Sequence, residues 1–207
     1  MTNEKVYETV LINENEATII GTVKKTEDEN NFFWVETKRK SGAVDTIRCR
    51  TPLFSLEEGD RVEIRGRLRS MRIHKATHRD KLILYIEVLF IEVLSSKDTE
   101  DRNEITLYGY LSKNGYVRKT PLGRDIMDFF VCPQVATLDN GKLITDTIPC
   151  ICWGGNAERG KDFAKKNVLV KVSGRLQERH YEKTLVSGEV VDRLLHELSC
   201  NDVYYYD

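Results

Sequence analysis

The sequence predicts an all-β protein made of two tandem antiparallel barrels of five strands each. Three observations predict it. Short runs of alternating apolar and polar residues dominate the chain, the pattern of half-buried strands. One motif occurs twice, as Asp45-Thr46-Ile47-Arg48-Cys49 followed by Gly66-Arg67-Leu68, and as Asp146-Thr147-Ile148-Pro149-Cys150 followed by Gly174-Arg175-Leu176. A repeat on this scale implies two copies of one structural unit. The 207 residues also suffice for two domains of roughly 100 residues, each able to bury its own core.

The elements follow in order. In the first copy, strands are expected over 17–23, 32–37, 45–50, 61–70 and 82–94, with Ser41-Gly42 as a turn. Residues 95–103 are polar throughout and supply the linker. In the second copy, 104–111 matches the first strand, including its glycine, and 125–132 and 147–153 follow. Asn140-Gly141 signals a hairpin because both residues tolerate positive φ. Residues 156–166 have helical composition. A helix between strands three and four is usual in the oligonucleotide-binding barrel, the OB-fold. Its counterpart in the first copy, 52–58, is too short for more than a turn or two. The expected division is 1–97, a divergent first OB-fold domain; 98–103, a linker; and 104–207, a second OB-fold domain.

Composition narrows the function classes. The net charge of −1 argues against a partner made of phosphates, but the charges are segregated. Arg61, Arg65, Arg67, Arg69, Arg72, Lys75, Arg79 and Lys81 crowd one segment, and acids gather at 27–29 and 98–101. Five cysteines, an odd number, argue against a paired disulfide framework. Cys150 and Cys152 read as small core-facing hydrophobes. No apolar stretch is long enough to cross a membrane, and 1–5 lack the start of a secretory signal. The expected location is the cytoplasm, without a membrane partner.

Side-chain period sorts the faces. Val168, Val170, Val172 and Leu176 share one parity; Lys171, Arg175, Arg179 and Tyr181 share the other. In the first copy Val62, Ile64 and Leu68 alternate with Arg61, Arg65, Arg67 and Arg69, and Ile47 and Cys49 with Arg48 and Arg50. Trp153 ends its strand on the outward parity, before Gly154-Gly155. Phe130, between Phe129 and Val131, and Trp34, between Phe33 and Val35, are expected to face outward. Cations along a track with flat rings beside them are what a sequence-tolerant binder of single strands requires. The bland alternative stays open: the rings are partly buried packing and the arginines are a solvated barrel exterior.

The second copy resembles the bacterial single-stranded DNA-binding protein (SSB) family. The resemblance runs through residues 104–111, 117–123 and 128–131, then Asp146 to Gly154 (DTIPCICWG) and Val170 to Tyr181 (VKVSGRLQERHY). It implies an OB barrel that binds single-stranded DNA without sequence readout, in a tandem variant of the family. It maps base-stacking rings onto Trp153 and Tyr181, and a basic DNA contact onto Arg118, with Lys119 beside it. Family members commonly assemble four barrels, so a homodimer of this chain is expected. They also end in an acidic-tipped tail that recruits replication proteins, and this chain stops at Val203-Tyr204-Tyr205-Tyr206-Asp207.

No catalytic set is visible. His74, His78, His180 and His196 are scattered outside metal-ligand spacing, and phosphate-cradling glycine loops and Gly-X-Ser-X-Gly are missing. The expectation is a non-enzymatic binder of single-stranded DNA serving replication, recombination or repair, with no cofactor. The alternative is an OB-fold assembly module, like a primosome component, with weak or no DNA binding.

Overall fold

Alternation along the chain becomes strand after strand. In a computed structural model, the described residues are 14–27, 31–52, 55–75, 78–96, 98–137, 143–184 and 188–206; the side chains of 27, 74, 75, 78–81, 135–137, 143, 144, 180–183, 192 and 193 lie outside the description. These residues form β1 (Asn15–Glu27), β2 (Phe32–Lys38), β3 (Val44–Arg50), β4 (Arg61–Lys75), β5 (His78–Val93), β6 (Arg102–Leu111), β7 (Tyr116–Lys119), β8 (Asp125–Cys132), β9 (Gln134–Thr137), β10 (Leu143–Thr145), β11 (Ile148–Trp153), the helix α1 (Gly155–Phe163), β12 (Leu169–Thr184) and β13 (Val190–Tyr206).

Two rings of pairing close. In the first, β1 pairs with both β2 and β4, β2 with β3, β3 with β5 in parallel, and β5 with β4. In the second, β6 pairs with β8 and β12, β8 with β11, β11 with β13 in parallel, and β13 with β12. These are two five-stranded OB barrels, with α1 between the third and fourth strands of the second. The hairpin tip 140–141 lies outside the described residues, but the flanking β9 and β10 pair antiparallel. β7 adds a short strand to the edge of β8. Neither β7 nor β13 stands out in the sequence, β7 because four residues are too few for a period.

The core is the alternation made physical. Ile19, Val35, Ile47, Val62, Ile64, Leu68 and Ile86 fill the first barrel, and Leu107, Leu111, Met127, Phe129, Val131, Ile148, Val170 and Leu198 the second, each excluded from water. The repeated Gly-Arg-Leu has a packing cause. Gly66 and Gly174 each sit at a bulge in their hairpin. A Cβ on either would fall onto a backbone carbonyl, that of Glu87 or Ser199. Two residues on, the Leu68 and Leu176 backbones are clamped by equivalent asparagines. Leu68 N donates to Asn15 Oδ1 at 2.9 Å and Asn15 Nδ2 donates to Leu68 O at 2.8 Å. Asn103 and Leu176 repeat the pair at 3.0 and 2.7 Å.

The barrels join through a strand pairing that sequence does not announce. β1 and β6 run antiparallel about Ala17↔Ile105, with Asn15 opposite Leu107 and Ile19 opposite Asn103. Because Asn15 and Asn103 are equivalent, the contact is self-complementary, like a two-fold interface folded into one chain. An eleven-stranded sheet results. Arg102 and Asn103, expected in the linker, are the first residues of β6, and Asp101 just before them is gripped by Arg61 and by the Lys38 backbone N–H.

Candidate nucleic-acid interface

The second barrel places Trp153 at the last position of β11. Pro149, Cys150, Ile151 and Cys152 before it are all buried, and Trp153 emerges at 44% exposure. Sequence parity expects Ile151 to face outward with Trp153; it is buried instead, at 1% exposure. Gly154 follows with φ of +57°, turning the chain into α1. Phe130 lies half-buried on β8 opposite Pro149, with Lys113 Nζ 4.5 Å above its ring. Tyr181 lies on β12 opposite Arg193, and its side chain is outside the described residues.

The first barrel carries a different surface. Trp34 and Arg48 are direct cross-strand partners on β2 and β3, and the Arg48 guanidinium sits 5.0 Å from the Trp34 ring. Lys25 covers the same ring at 5.5 Å. Arg48 also reaches Phe32 at 5.5 Å, and Arg50 caps Phe32 at 5.6 Å. The result is a ladder of alternating cations and rings, each contact worth about 0.5–1 kcal/mol at an exposed site. Register explains the placement: Val35 and Val131 occupy the same position opposite β1 and β6, so Trp34 and Phe130 are equivalents, as are Arg48 and Pro149.

Residues 102–203 match the family model of the Single-strand binding protein family. The match covers the second barrel, 102 of the 207 residues. The chain is 37% identical over 81 residues to single-stranded DNA-binding protein A of Bacillus subtilis, covering 39% of this chain and 47% of that protein. It is 36% identical over 81 residues to single-stranded DNA-binding protein 2 of Listeria monocytogenes, covering 39% and 51%. The chain thus spans about half the length of the curated relatives it matches. Among solved structures, the wild-type single-stranded DNA binding protein from Thermus aquaticus superposes with a TM-score of 0.66 at 16% identity, over 94% of this chain and 93% of that one. A deletion mutant of the same protein gives 0.63 at 17%, over 93% and 94%. This likeness extends the shared fold across both barrels.

The other basic residues expected at the interface divide into two groups. Arg67 and Arg50 are exposed on β4 and β3. The rest are held by carboxylates or at the seam. Arg118 Nε donates to Asp128 Oδ2 at 2.8 Å, and Lys119 lies 3.3 Å from Asp125. Arg179 makes a two-pronged pair with buried Glu197, at 2.9 and 3.1 Å. Arg69 bridges the barrels, donating to Asp146 at 2.7 Å and to Glu87 at 2.9 Å. Burial works against its charge, but Asp146 and Glu87 more than compensate, so its pKa lies above the ordinary arginine value. Arg175 Nη2 donates to Gln177 Oε1 at 3.1 Å beside Arg39. Arg61, expected on the solvated face, is buried against Asp101 and the Thr99 carbonyl.

Sequence reasoning passed over three contributors: Lys25 and Lys113, which cover the two equivalent rings, and Tyr116, 65% exposed on β7. Pairing with a ring across strands is a tertiary fact, so only the lysines' charge was visible. Tyr116 could have been found as an aromatic directly before Val117-Arg118-Lys119.

Proposed function

We propose that the chain binds single-stranded DNA without sequence readout, in replication, recombination or repair, and performs no catalysis. The observation that carries this reading is Trp153. It is the one large ring at the end of an otherwise buried strand, in the barrel that matches the single-strand binding family. A base stacked on such a ring contributes about 1–3 kcal/mol. Trp153, Phe130 and Tyr181 would stack bases in the second barrel and Trp34 in the first. Arg118, Lys119, Arg175, Arg179, Arg48, Arg50, Arg67 and Arg69 would supply cations to the phosphate track. The domains would divide as 1–97 and 104–207 about the segment 98–103, whose last two residues already run in β6. Two chains would bring four barrels together, and replication proteins are the expected protein partners, in the cytoplasm.

The chain has two tryptophans, one per barrel, which makes the test direct. Titration of Trp34→Phe and Trp153→Phe variants with oligo-dT reads each barrel separately. Quenching of Trp153 emission supports the reading, and no quenching of either tryptophan with a retained fold overturns it.

A second reading has its own observation. Arg69, Arg118 and Arg179 already spend their charge on internal carboxylates. That favours a protein-assembly module with weak or no DNA binding. Affinity for oligo-dT that does not change with salt would support it, because phosphate binding releases counterions.

A further inference from the structure

An open cleft of about 800 Å³ lies where the barrels meet, lined by Lys38, Arg39 and Asp45 from the first, by Arg175 and Asn201 from the second, and by the segment between them. Its charges do not balance. Asp45, 1% exposed, is gripped by Arg39 through Nε at 2.7 Å and through Nη2. Asp101 is taken by Arg61, Glu100 by Lys40 at 3.8 Å, and Glu104 by Arg102 at 3.2 Å. Every carboxylate lining the cleft therefore has a cation. Among the described residues, two lining cations have no carboxylate: Lys38, exposed at the end of β2, and Arg175 on β12.

Arg175 is the more telling of the two. Its Nη2 donates to Gln177, but its Nε is buried without a partner. Burial first, and then the neighbouring Arg39, push its pKa below the ordinary arginine value, with Asp45 opposing them. A cation desolvated without a counter-charge is costly unless an anion completes it, and a guanidinium fork fits a phosphate. The position also connects the two surfaces. Lys38 shares the outward parity of β2 with Trp34, about 13 Å along the strand at 3.3 Å per residue. Arg175 shares the parity of Arg179 on β12.

We propose that this cleft is a phosphate-binding site, and that its occupant is a backbone phosphate of a strand crossing from one barrel to the other. The choice of occupant rests on the DNA-binding reading above; the anion site itself does not. The cleft would make the two barrels one continuous track rather than two separate sites.

The test uses the full chain with oligo-dT of increasing length, titrated over a range of KCl. Each single-strand phosphate neutralised by the protein adds about 0.7 to the log–log salt slope. For oligonucleotides long enough to reach both barrels, Lys38→Gln/Arg175→Gln should therefore flatten that slope by about 1.4. Short oligonucleotides, which cannot span the cleft, should be unaffected by Lys38→Gln. Lys38→Gln alone, on an exposed side chain, should flatten the slope by about 0.7, and Arg175→Lys should keep most of the wild-type slope. Equal slopes in wild type and double variant, with folding verified by circular dichroism, overturn the strand as occupant. Calorimetry with pyrophosphate decides the site separately. Binding that is abolished in the double variant supports it even if no oligonucleotide binds; no pyrophosphate binding together with unchanged slopes overturns it.

Discussion

The two barrels share a frame and differ in what they show to solvent. Both use the glycine bulge, the asparagine clamp and the same ring position, Trp34 in one and Phe130 in the other. The second adds α1 and a ring at the end of β11; among the described residues of 51–60, the first has no helix. The first adds Arg48 where the second has Pro149, and so builds its cation–ring ladder. The lesson is that backbone-dictated positions repeat while surface positions diverge. A glycine that meets a carbonyl cannot vary, whereas a cross-strand partner on the outside can be arginine or proline. The family match follows the same line, covering 102–203 and leaving the first barrel to fold likeness.

The comparison can be broken at several points. The largest effect is expected at the shared frame. Gly66→Ala and Gly174→Ala should each cost up to about 3 kcal/mol of stability, since overpacking against backbone cannot relax easily. Equal losses in urea denaturation would establish the barrels as equivalents; a silent Gly66→Ala would break the equivalence.

Next come the rings. Trp153→Ala should weaken oligo-dT binding by about 2 kcal/mol, some thirty-fold, the middle of the stacking range. Trp34→Ala should cost less, because Arg48 and Lys25 already occupy its faces. Fluorescence anisotropy gives both numbers, and a larger loss at Trp34 would make the first barrel the main site.

The seam offers a smaller test. Asp45 and Asp146 are equivalents, buried at 1% and 7% exposure. Asp45→Ala leaves Arg39 with no carboxylate among the described residues, whereas Asp146→Ala leaves Arg69 with Glu87. Asp45→Ala should cost about 2 kcal/mol and Asp146→Ala about 1, within the range for unsatisfied buried groups. Thermal melts ranking them the other way would remove the charge accounting given for the cleft.

The smallest effect concerns thiols. Burial, followed by Cys200 and Asp128, pushes Cys152 from 9.0 up to about 12, and burial also raises Cys49 and Cys200. The unfolded thiol releases its proton at about pH 9 while the folded one holds it. This contribution to stability is therefore complete below pH 9 and declines as pH rises toward 12. Two raised thiols in the second barrel against one in the first predict that the second loses more. Melts between pH 8 and 10.5, read through the single-tryptophan variants, would check it. Half-buried Cys132 should be alkylated first under native conditions.

Much of the fold was legible because it rests on period. Phe33, Val35, Phe129 and Val131 alternate with Trp34 and Phe130 in the sequence and in burial alike. The helix was legible within a few residues from composition alone. Less of the candidate site was legible, because parity gives a direction and not a neighbour. It placed Trp153 at the surface, yet it could not report that Ile151 on the same parity is enclosed, that Arg61 is buried, or that Arg69 and Arg175 lie at the seam.

Sequence alone determined two barrels, most of their strands and the family that the second resembles, since hydrophobic period and an internal repeat are local properties of the chain. Tertiary structure alone decided that β1 and β6 pair into a pseudo-two-fold seam, and which cations remain without a counter-charge there. The physical reason is range. A period is set by neighbours in the chain, whereas an ion pair such as Arg69 with Asp146 depends on residues that meet only after both barrels have closed.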